Sequence, residues 1–179
     1  MDERSRRNAY ARFSADRADK QRPNMTGNEE NARFVLVSGE RALIELTGCE
    51  HFKALHDRNE TIALGGDPGN AVFLGNDAVG PIYGVSAPIP EGEGFPRIKA
   101  IDMRSIATQG LLTDDQLALV GTGKSLTSWH ARHRFCANCG APTEPSQGGW
   151  RRDCDSCKTQ HFPRVDPRSE ERRVGKECR

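Results

Sequence analysis

The sequence predicts an α+β chain of 179 residues: a small sheet-rich N-terminal domain, a connecting helix and a cysteine-held ribbon. Three observations carry that expectation. Short β-prone apolar runs, punctuated by glycine, proline and asparagine clusters, recur from Arg33 to Ile101. Thr113 with Gln116 three residues on forms a helix start signal, and the segment behind it reads as helical through Trp129 and His133. Two Cys-x-x-Cys pairs, Cys136 with Cys139 and Cys154 with Cys157, are separated by a 14-residue spacer.

The first 32 residues are rich in Arg, Asp, Asn and Glu and hold few large apolar side chains, Tyr10, Phe13 and Met25 among them. So little apolar surface does not offset the entropy of ordering the chain, and residues 1–32 are expected to form a disordered arm. From Arg33 the pattern changes. Phe34-Val35-Leu36-Val37 and Arg41 to Leu46 flank Ser38-Gly39, which predicts a hairpin with glycine in its turn. Thr61 to Leu64, Ala71 to Leu74 and Ile82 to Val85 read as further short strands between turn clusters, and Arg97 to Ile101 as a last one. Ser86 to Pro96, with three prolines in an acidic setting, is expected to be an exposed loop. Within the helical segment, Gly121 and Gly123 would each cost about 1 kcal/mol, so a break near Gly121 into two helical pieces is expected.

The chain is 35% hydrophobic and 28% charged with a formal net charge of +1, a soluble balance with no general pull toward nucleic acid or membrane. Met1 to Arg7 are polar, and no run approaches the roughly 18 apolar residues of a membrane span. A cytoplasmic location without membrane contact is expected. In a reducing compartment paired cysteines usually hold metal, whereas two disulfides or four free thiols are the alternatives.

Two residues between cysteines let a tight turn aim both sulfurs at one point, and Gly140 can take the left-handed conformation that closes the first turn. The spacer from Gly140 to Asp153 is long enough for a hairpin that carries the second pair back to the first. Cys136, Cys139, Cys154 and Cys157 are therefore expected to bind structural Zn²⁺ as four thiolates. All four positions are then filled, so the site folds the ribbon and does no chemistry. Arg134, Arg151, Arg152 and Lys158 lie where they could offset the excess negative charge, or else form a solvated face. Cys49 stands alone and reads as incidental. His51 and His56 are wrongly spaced to share a helix face, and His130 and His133 read as packing or hydrogen-bonding groups beside the ribbon.

Several runs carry a resemblance. Ser128-Trp129-His130-Ala131-Arg132-His133-Arg134-Phe135-Cys136 through Gly140, then Gly148-Gly149-Trp150-Arg151-Arg152-Asp153-Cys154 and His161-Phe162-Pro163-Arg164-Val165-Asp166-Pro167, resemble the middle of NADH pyrophosphatases of the Nudix superfamily. Ala71-Val72-Phe73-Leu74-Gly75 and the hairpin before it resemble that family's N-terminal domain more weakly. The resemblance implies a division into a 33–108 Nudix-like N-terminal domain, a 109–133 helical connector and a 134–167 zinc ribbon. It also implies a downstream Nudix domain that hydrolyses NADH or NAD⁺ to nicotinamide mononucleotide and AMP, and in some members acts on NAD-capped RNA. That domain's glutamates bind Mg²⁺ or Mn²⁺, and the full-length enzyme is usually a homodimer. The family's Arg-Glu-apolar-any-Glu-Glu signature does not occur here: the adjacent glutamates Glu29-Glu30 and Glu170-Glu171 lack its flanking residues. No catalytic residue carries over, and this chain alone is expected to be inactive.

Residues 168–179 hold one valine and otherwise polar or small residues, which does not suit the apolar strand that the family places there. They match the translation of a common sequencing adapter and are expected not to be native. Without them the formal charge goes from +1 to −1 and Cys178 is lost. Two rival readings remain: a stand-alone zinc-ribbon module that binds nucleic acid or protein, and a ribbon attached to some other catalytic domain.

Overall fold

A computed structural model describes residues 27, 29–48, 52–90 and 94–163. Cys49, His51, Cys178, the 168–179 segment, most of the expected arm and the last residues of the expected ribbon lie outside the described residues. The sheet begins as anticipated. β1 (Arg33–Ser38) and β2 (Arg41–Leu46) form an antiparallel hairpin with Ser38 opposite Arg41. Gly39 takes φ 59° in the turn, where a side chain would be strained.

β2 is the strand on which the sheet is assembled. β6 (Ile98–Asp102) pairs along it from Arg41 to Glu45, while β3 (Phe52–Lys53) pairs at Glu45 and Leu46. Glu45 is thus opposite both Lys53 and Ile98, so β3 and β6 occupy opposite edges of β2. β5 (Pro81–Ser86) lies parallel to β1, and β4 (Val72–Asn76) lies antiparallel outside β5, with a bulge between Phe73 and Gly75. A parallel neighbour needs a long crossover, which the chain from β2 to β4 provides.

The central strands are buried on both faces, which is why they read as continuous apolar runs rather than alternating ones. On one face Val35, Val37, Ile44, Leu74 and Ile82 pack against helical residues. On the other, Phe34, Leu36, Leu43, Tyr83 and Val85 pack around Leu64 and Ala87. Phe34 and Tyr83 stack at 5.7 Å between ring centroids. Ala87, expected in an exposed loop, is buried, and its N–H donates to Val37 O at 2.9 Å.

The structure corrects the sequence reading in four further places. Thr61 to Leu64, read as a strand, falls on α1 (Arg58–Ala63) and its C-cap. Asp57 and Glu60 close a reciprocal capping box, with Glu60 N–H to Asp57 Oδ1 at 2.8 Å and Asp57 N–H to Glu60 Oε2 at 3.0 Å. That local bonding outweighs the β preference of one threonine and one isoleucine. α2 (Met103–Gln109), not anticipated, follows β6 directly, capped by Asp102 at one end and by left-handed Gly110 at the other. α3 (Asp114–Arg132) runs unbroken through Gly121. Its buried Leu119, Val120, Gly123 and Leu126 form a stripe on the sheet, and burial of that stripe offsets the weak propensity of the glycines. Finally, the end of the expected arm is packed: Ala32 is buried, Tyr83 OH donates to Glu29 Oε2 at 2.9 Å, and Arg58 Nη1 donates to Gly27 O at 2.6 Å. Among the described residues no helix is long and apolar enough to cross a membrane.

One close approach of helix to sheet is glycine on glycine. A Cβ on Gly84 of β5 would lie 3.1 Å from Gly123 Cα, whereas a Cβ on Gly121 would meet only Met103 Cε at 3.9 Å. Gly84→Ala is expected to lower stability by about 1–3 kcal/mol through overpacking. Gly121→Ala is expected to raise it by up to about 1 kcal/mol through helix propensity. Urea denaturation midpoints check both, and a Gly84→Ala midpoint at or above wild type would refute the packing account.

His56 is buried and bridges to Phe34 at the end of β1; its Nε2 lies 3.0 Å from Leu43 O. Burial foremost holds its pKa below the ordinary value, against the opposing pull of the Leu43 carbonyl and Glu60. A histidine depressed in the folded state leaves the unfolded chain binding more protons once pH falls below about 6.5. Stability is therefore complete above that pH and declines as pH falls toward the folded-state value. His56→Gln should flatten this decline in denaturant midpoints measured from pH 8 to pH 5.5; an unchanged slope would refute it.

Candidate metal centre

The two cysteine pairs are built on one backbone plan used twice. In the first, Gly140 N–H donates to Cys136 O at 2.9 Å and Cys136 N–H to Ala141 O at 2.7 Å. In the second, Lys158 N–H donates to Cys154 O at 2.8 Å and Cys154 N–H to Thr159 O at 3.0 Å. Each turn closes with a left-handed residue, Gly140 at φ 77° and Lys158 at φ 60°. The sequence pointed to the first because it is glycine; a lysine gave no such signal.

β7 (Glu144–Ser146), β8 (Arg151–Asp153) and β9 (Gln160–His161) form a three-stranded antiparallel sheet that returns the second knuckle to the first. The sulfurs of Cys136, Cys139, Cys154 and Cys157 all lie within 4.8 Å of one another. Cys136 Sγ is 3.5 Å from Cys157 Sγ, and Cys139 Sγ is 3.5 Å from Cys154 Sγ. A tetrahedral ion with Zn–S bonds of about 2.3 Å requires sulfurs roughly 3.8 Å apart, so the donor set fits zinc in both number and spacing.

Polar groups already face these sulfurs. Asn138 N–H donates to Cys136 Sγ at 3.4 Å, His161 Nε2 lies 3.3 Å from the same atom, and Thr159 Oγ1 is 3.1 Å from Cys157 Sγ. As thiols, Cys139 and Cys157 shift in opposite directions. Thr159 first, then Asn138, draw Cys157 down to about 5. The Ala141 N–H lowers Cys139, but the neighbouring Cys157 and Cys154 sulfurs outweigh it and push that thiol up to about 11. Asn138, Thr159 and His161 were not singled out from sequence; the matching positions of Ala141 and Thr159 after each pair were the available sign.

The basic residues expected near the sulfurs do other work. Arg151 pairs with Asp153 at 2.8 Å, and Lys158 lies 3.8 Å from Asp155 with both side chains exposed. Arg134 is exposed. Arg152 is neither a solvated residue nor a partner of sulfur: it is buried, with Nε donating to Thr143 Oγ1 at 2.8 Å and Nη2 to Thr143 O. Its Nη1 meets His130 Nδ1 at 2.9 Å, while His130 Nε2 meets Gly149 O at 2.7 Å. An arginine can only donate, so Nδ1 accepts and Nε2 carries the ring proton. Burial first, then the Arg152 charge, hold His130 below its usual pKa, with the Gly149 carbonyl pulling the other way. His133 stacks on Trp129 at 5.3 Å between ring centroids and places Nδ1 2.9 Å from Trp129 O.

The ribbon is docked on the sheet. Trp150 Nε1 donates to Phe73 O in β4 at 2.6 Å. A Cβ on Gly149 would lie 2.7 Å from Val72 Cγ1, and one on Gly148 3.1 Å from Phe73 Cβ; both glycines also have positive φ. The β7–β8 turn therefore needs glycine for its backbone and again for its fit.

Two family models match the chain in tandem. The NADH pyrophosphatase-like rudimentary NUDIX domain matches residues 31–129, and the NADH pyrophosphatase zinc ribbon domain matches residues 131–162. Curated relatives include Nudix hydrolase 19, chloroplastic, of Arabidopsis thaliana, 40% identical over 55 residues, or 30% of this chain and 13% of the relative. The human NAD-capped RNA hydrolase NUDT12 is 36% identical over 64 residues, 31% of this chain and 14% of that protein. The NAD-capped RNA hydrolase NudC of Deinococcus radiodurans is 38% identical over 58 residues, 32% of this chain and 21% of that protein. The matched stretches thus span between 13% and 21% of these relatives' length.

Cys154→Ser is expected to reduce bound zinc from one ion per chain to none after dialysis. Loss of amide protection should spread through β7 to β9 and, by way of Trp150, into β4, while β1, β2 and β5 stay protected. Hydrogen exchange with metal analysis checks this; equal loss in every strand would show that the ribbon and the large sheet unfold as one unit.

Proposed function

The chain belongs to the NADH pyrophosphatase family, with a rudimentary Nudix domain and a zinc ribbon in succession, and from that premise we propose that it is the N-terminal part of an NAD(H) diphosphatase. In full length that enzyme hydrolyses NADH or NAD⁺ to nicotinamide mononucleotide and AMP, works as a homodimer and also accepts NAD-capped RNA. The observation that carries the reading is the adjacency of the two matches, at residues 129 and 131, within one continuous stretch of α3. The names of the human and Deinococcus relatives support the capped-RNA substrate.

Cys136, Cys139, Cys154 and Cys157 hold the zinc. Four protein ligands leave no coordination position for water or substrate, so the ion's contribution is to fold the ribbon, roughly 10–16 kcal/mol for structural zinc at neutral pH. Hydrolysis of a pyrophosphate instead calls for carboxylates that hold Mg²⁺ or Mn²⁺ against the phosphates and orient water. Among the described residues the group able to gather a metal ion is the sulfur quartet, and the sequence holds no Nudix signature. On this reading the chain by itself is inactive, and the catalysis belongs to a Nudix domain of the full-length protein.

A second reading, a ribbon that contacts nucleic acid, draws on Phe135 and Phe162, 67% and 60% exposed, close in sequence to Arg132 and Arg134. A steep fall of RNA affinity with salt would favour it. For the leading reading, the zinc-loaded chain incubated with NADH and Mg²⁺ should release no nicotinamide mononucleotide by chromatography, whereas a full-length form with a Nudix box should. Turnover by this chain near 1 s⁻¹, the low end of ordinary enzymes, would overturn it.

A further inference from the structure

The four cysteines of the metal centre are not equally open to solvent. Cys136 and Cys154 are buried, Cys157 is half-buried and Cys139 is exposed. Cys139 sits at the tip of the first knuckle, where Ala137, Asn138 and Gly140 are exposed as well. A Cβ on Gly140 would meet nothing within 4 Å, so this tip is uncovered.

The sulfurs also differ in what engages their electron pairs. Cys136 Sγ takes the Asn138 N–H at 3.4 Å and has His161 Nε2 at 3.3 Å, while Cys157 Sγ has Thr159 Oγ1 at 3.1 Å. Cys139 takes the Ala141 N–H of its own turn. Hydrogen bonds to a thiolate lower its basicity and with it its nucleophilicity. Exposure and thiolate character together decide which cysteine an oxidant attacks, and a zinc ligand is held as a thiolate. A second sulfur stands ready beside the exposed one. Cys154 Sγ, on the other knuckle, is 3.5 Å from Cys139 Sγ, and Cys136 Sγ is 3.5 Å from Cys157 Sγ. Closing either gap to a disulfide bond takes a movement of about 1.5 Å.

We propose that Cys139 is an oxidation site through which a hydroperoxide releases zinc from the ribbon. The Cys139 thiolate attacks the hydroxyl oxygen of the peroxide; the S–O bond forms, the O–O bond breaks, and the other oxygen leaves as alkoxide, or as hydroxide from hydrogen peroxide. The sulfur is oxidised to a sulfenic acid and the peroxide is reduced by two electrons. The Cys154 thiolate then attacks the Cys139 sulfur, the S–S bond forms and hydroxide leaves. Two thiolates remain to hold the ion, and a second peroxide joins Cys136 to Cys157 in the same way. With hydrogen peroxide, four thiolates, Zn²⁺ and two H₂O₂ give two disulfides, free Zn²⁺ and four hydroxides. Each disulfide links one knuckle to the other and so takes over the tether that the ion supplied. The proposal rests on zinc binding by the quartet and on nothing in a downstream domain.

Metal analysis of the purified chain comes first and should find one zinc ion per chain; a chain without zinc would overturn the zinc assignment and this proposal together. Excess hydrogen peroxide should then pass that ion to a zinc-sensing dye, and peptide mapping should find Cys139 joined to Cys154. Substoichiometric peroxide with dimedone present should label Cys139 ahead of the other three ligands. Dithiothreitol with added zinc should restore the metal content. Cys139→His keeps a ligand for zinc and removes the attacking sulfur, so its zinc should leave at least about tenfold more slowly. Where that variant fails to hold zinc, the dimedone label on the unaltered chain decides. Zinc retained under excess peroxide, first labelling at Cys136, Cys154 or Cys157, a Cys139 disulfide to a cysteine other than Cys154, or an undiminished rate from zinc-loaded Cys139→His would each overturn the proposal.

Discussion

From Arg134 to Pro163 the buried positions are Cys136, Thr143, Gly149, Arg152 and Cys154. None is a large aliphatic or aromatic side chain, so the hydrophobic effect that stabilises the large sheet has little to act on here. Gathering four sulfurs within 4.8 Å of one another is what remains to fix the path of this segment. Everything else in the ribbon follows from it: the repeated turn geometry, the short three-stranded sheet, and a buried arginine whose guanidinium donates to backbone, hydroxyl and imidazole acceptors instead of to a carboxylate. Thr143 Oγ1, which accepts from Arg152, in turn donates to His133 O at 3.0 Å, so the network ends on the last turn of α3.

That network and the Trp150–Phe73 bond hold the ribbon against the sheet and α3. β4 is the outermost strand on its side of the sheet, where unpaired backbone groups would otherwise be open to other chains. The 147–150 turn covers part of that edge. α3 enters both halves, packing its middle on β1, β4 and β5 and ending at the first knuckle.

The large sheet shows a different economy of contacts. Its two faces carry separate apolar clusters, so the four middle positions of β1, β2 and β5 are buried and a change on either side is felt. Gly84 and Gly123 allow helix and strand backbones to approach closely, and Gly148 and Gly149 allow the same for the ribbon turn. These four glycines set distances between layers, a role distinct from their local turn chemistry.

Most of the site and half of the fold were legible in the sequence. Cys136, Cys139, Cys154 and Cys157 announced themselves because a Cys-x-x-Cys turn is a local object, and Phe34 to Leu46 announced a hairpin because its turn and flanking runs adjoin. The Asp57–Glu60 capping box is equally local, but its signal competes with the β-prone run from Thr61 to Leu64. What local pattern did not contain was decided by the tertiary structure: that α3 runs through Gly121, because its stripe is buried on a sheet; that Arg152 turns inward, because Thr143 and His130 meet it there; and that His56 is buried beside Glu60. The reason is the range of the forces. Turns, caps and chelating pairs act over a few residues and are written in order along the chain. Burial and hydrogen-bond satisfaction depend on partners tens of residues away, as Trp150 depends on Phe73, and they exist once the layers have packed.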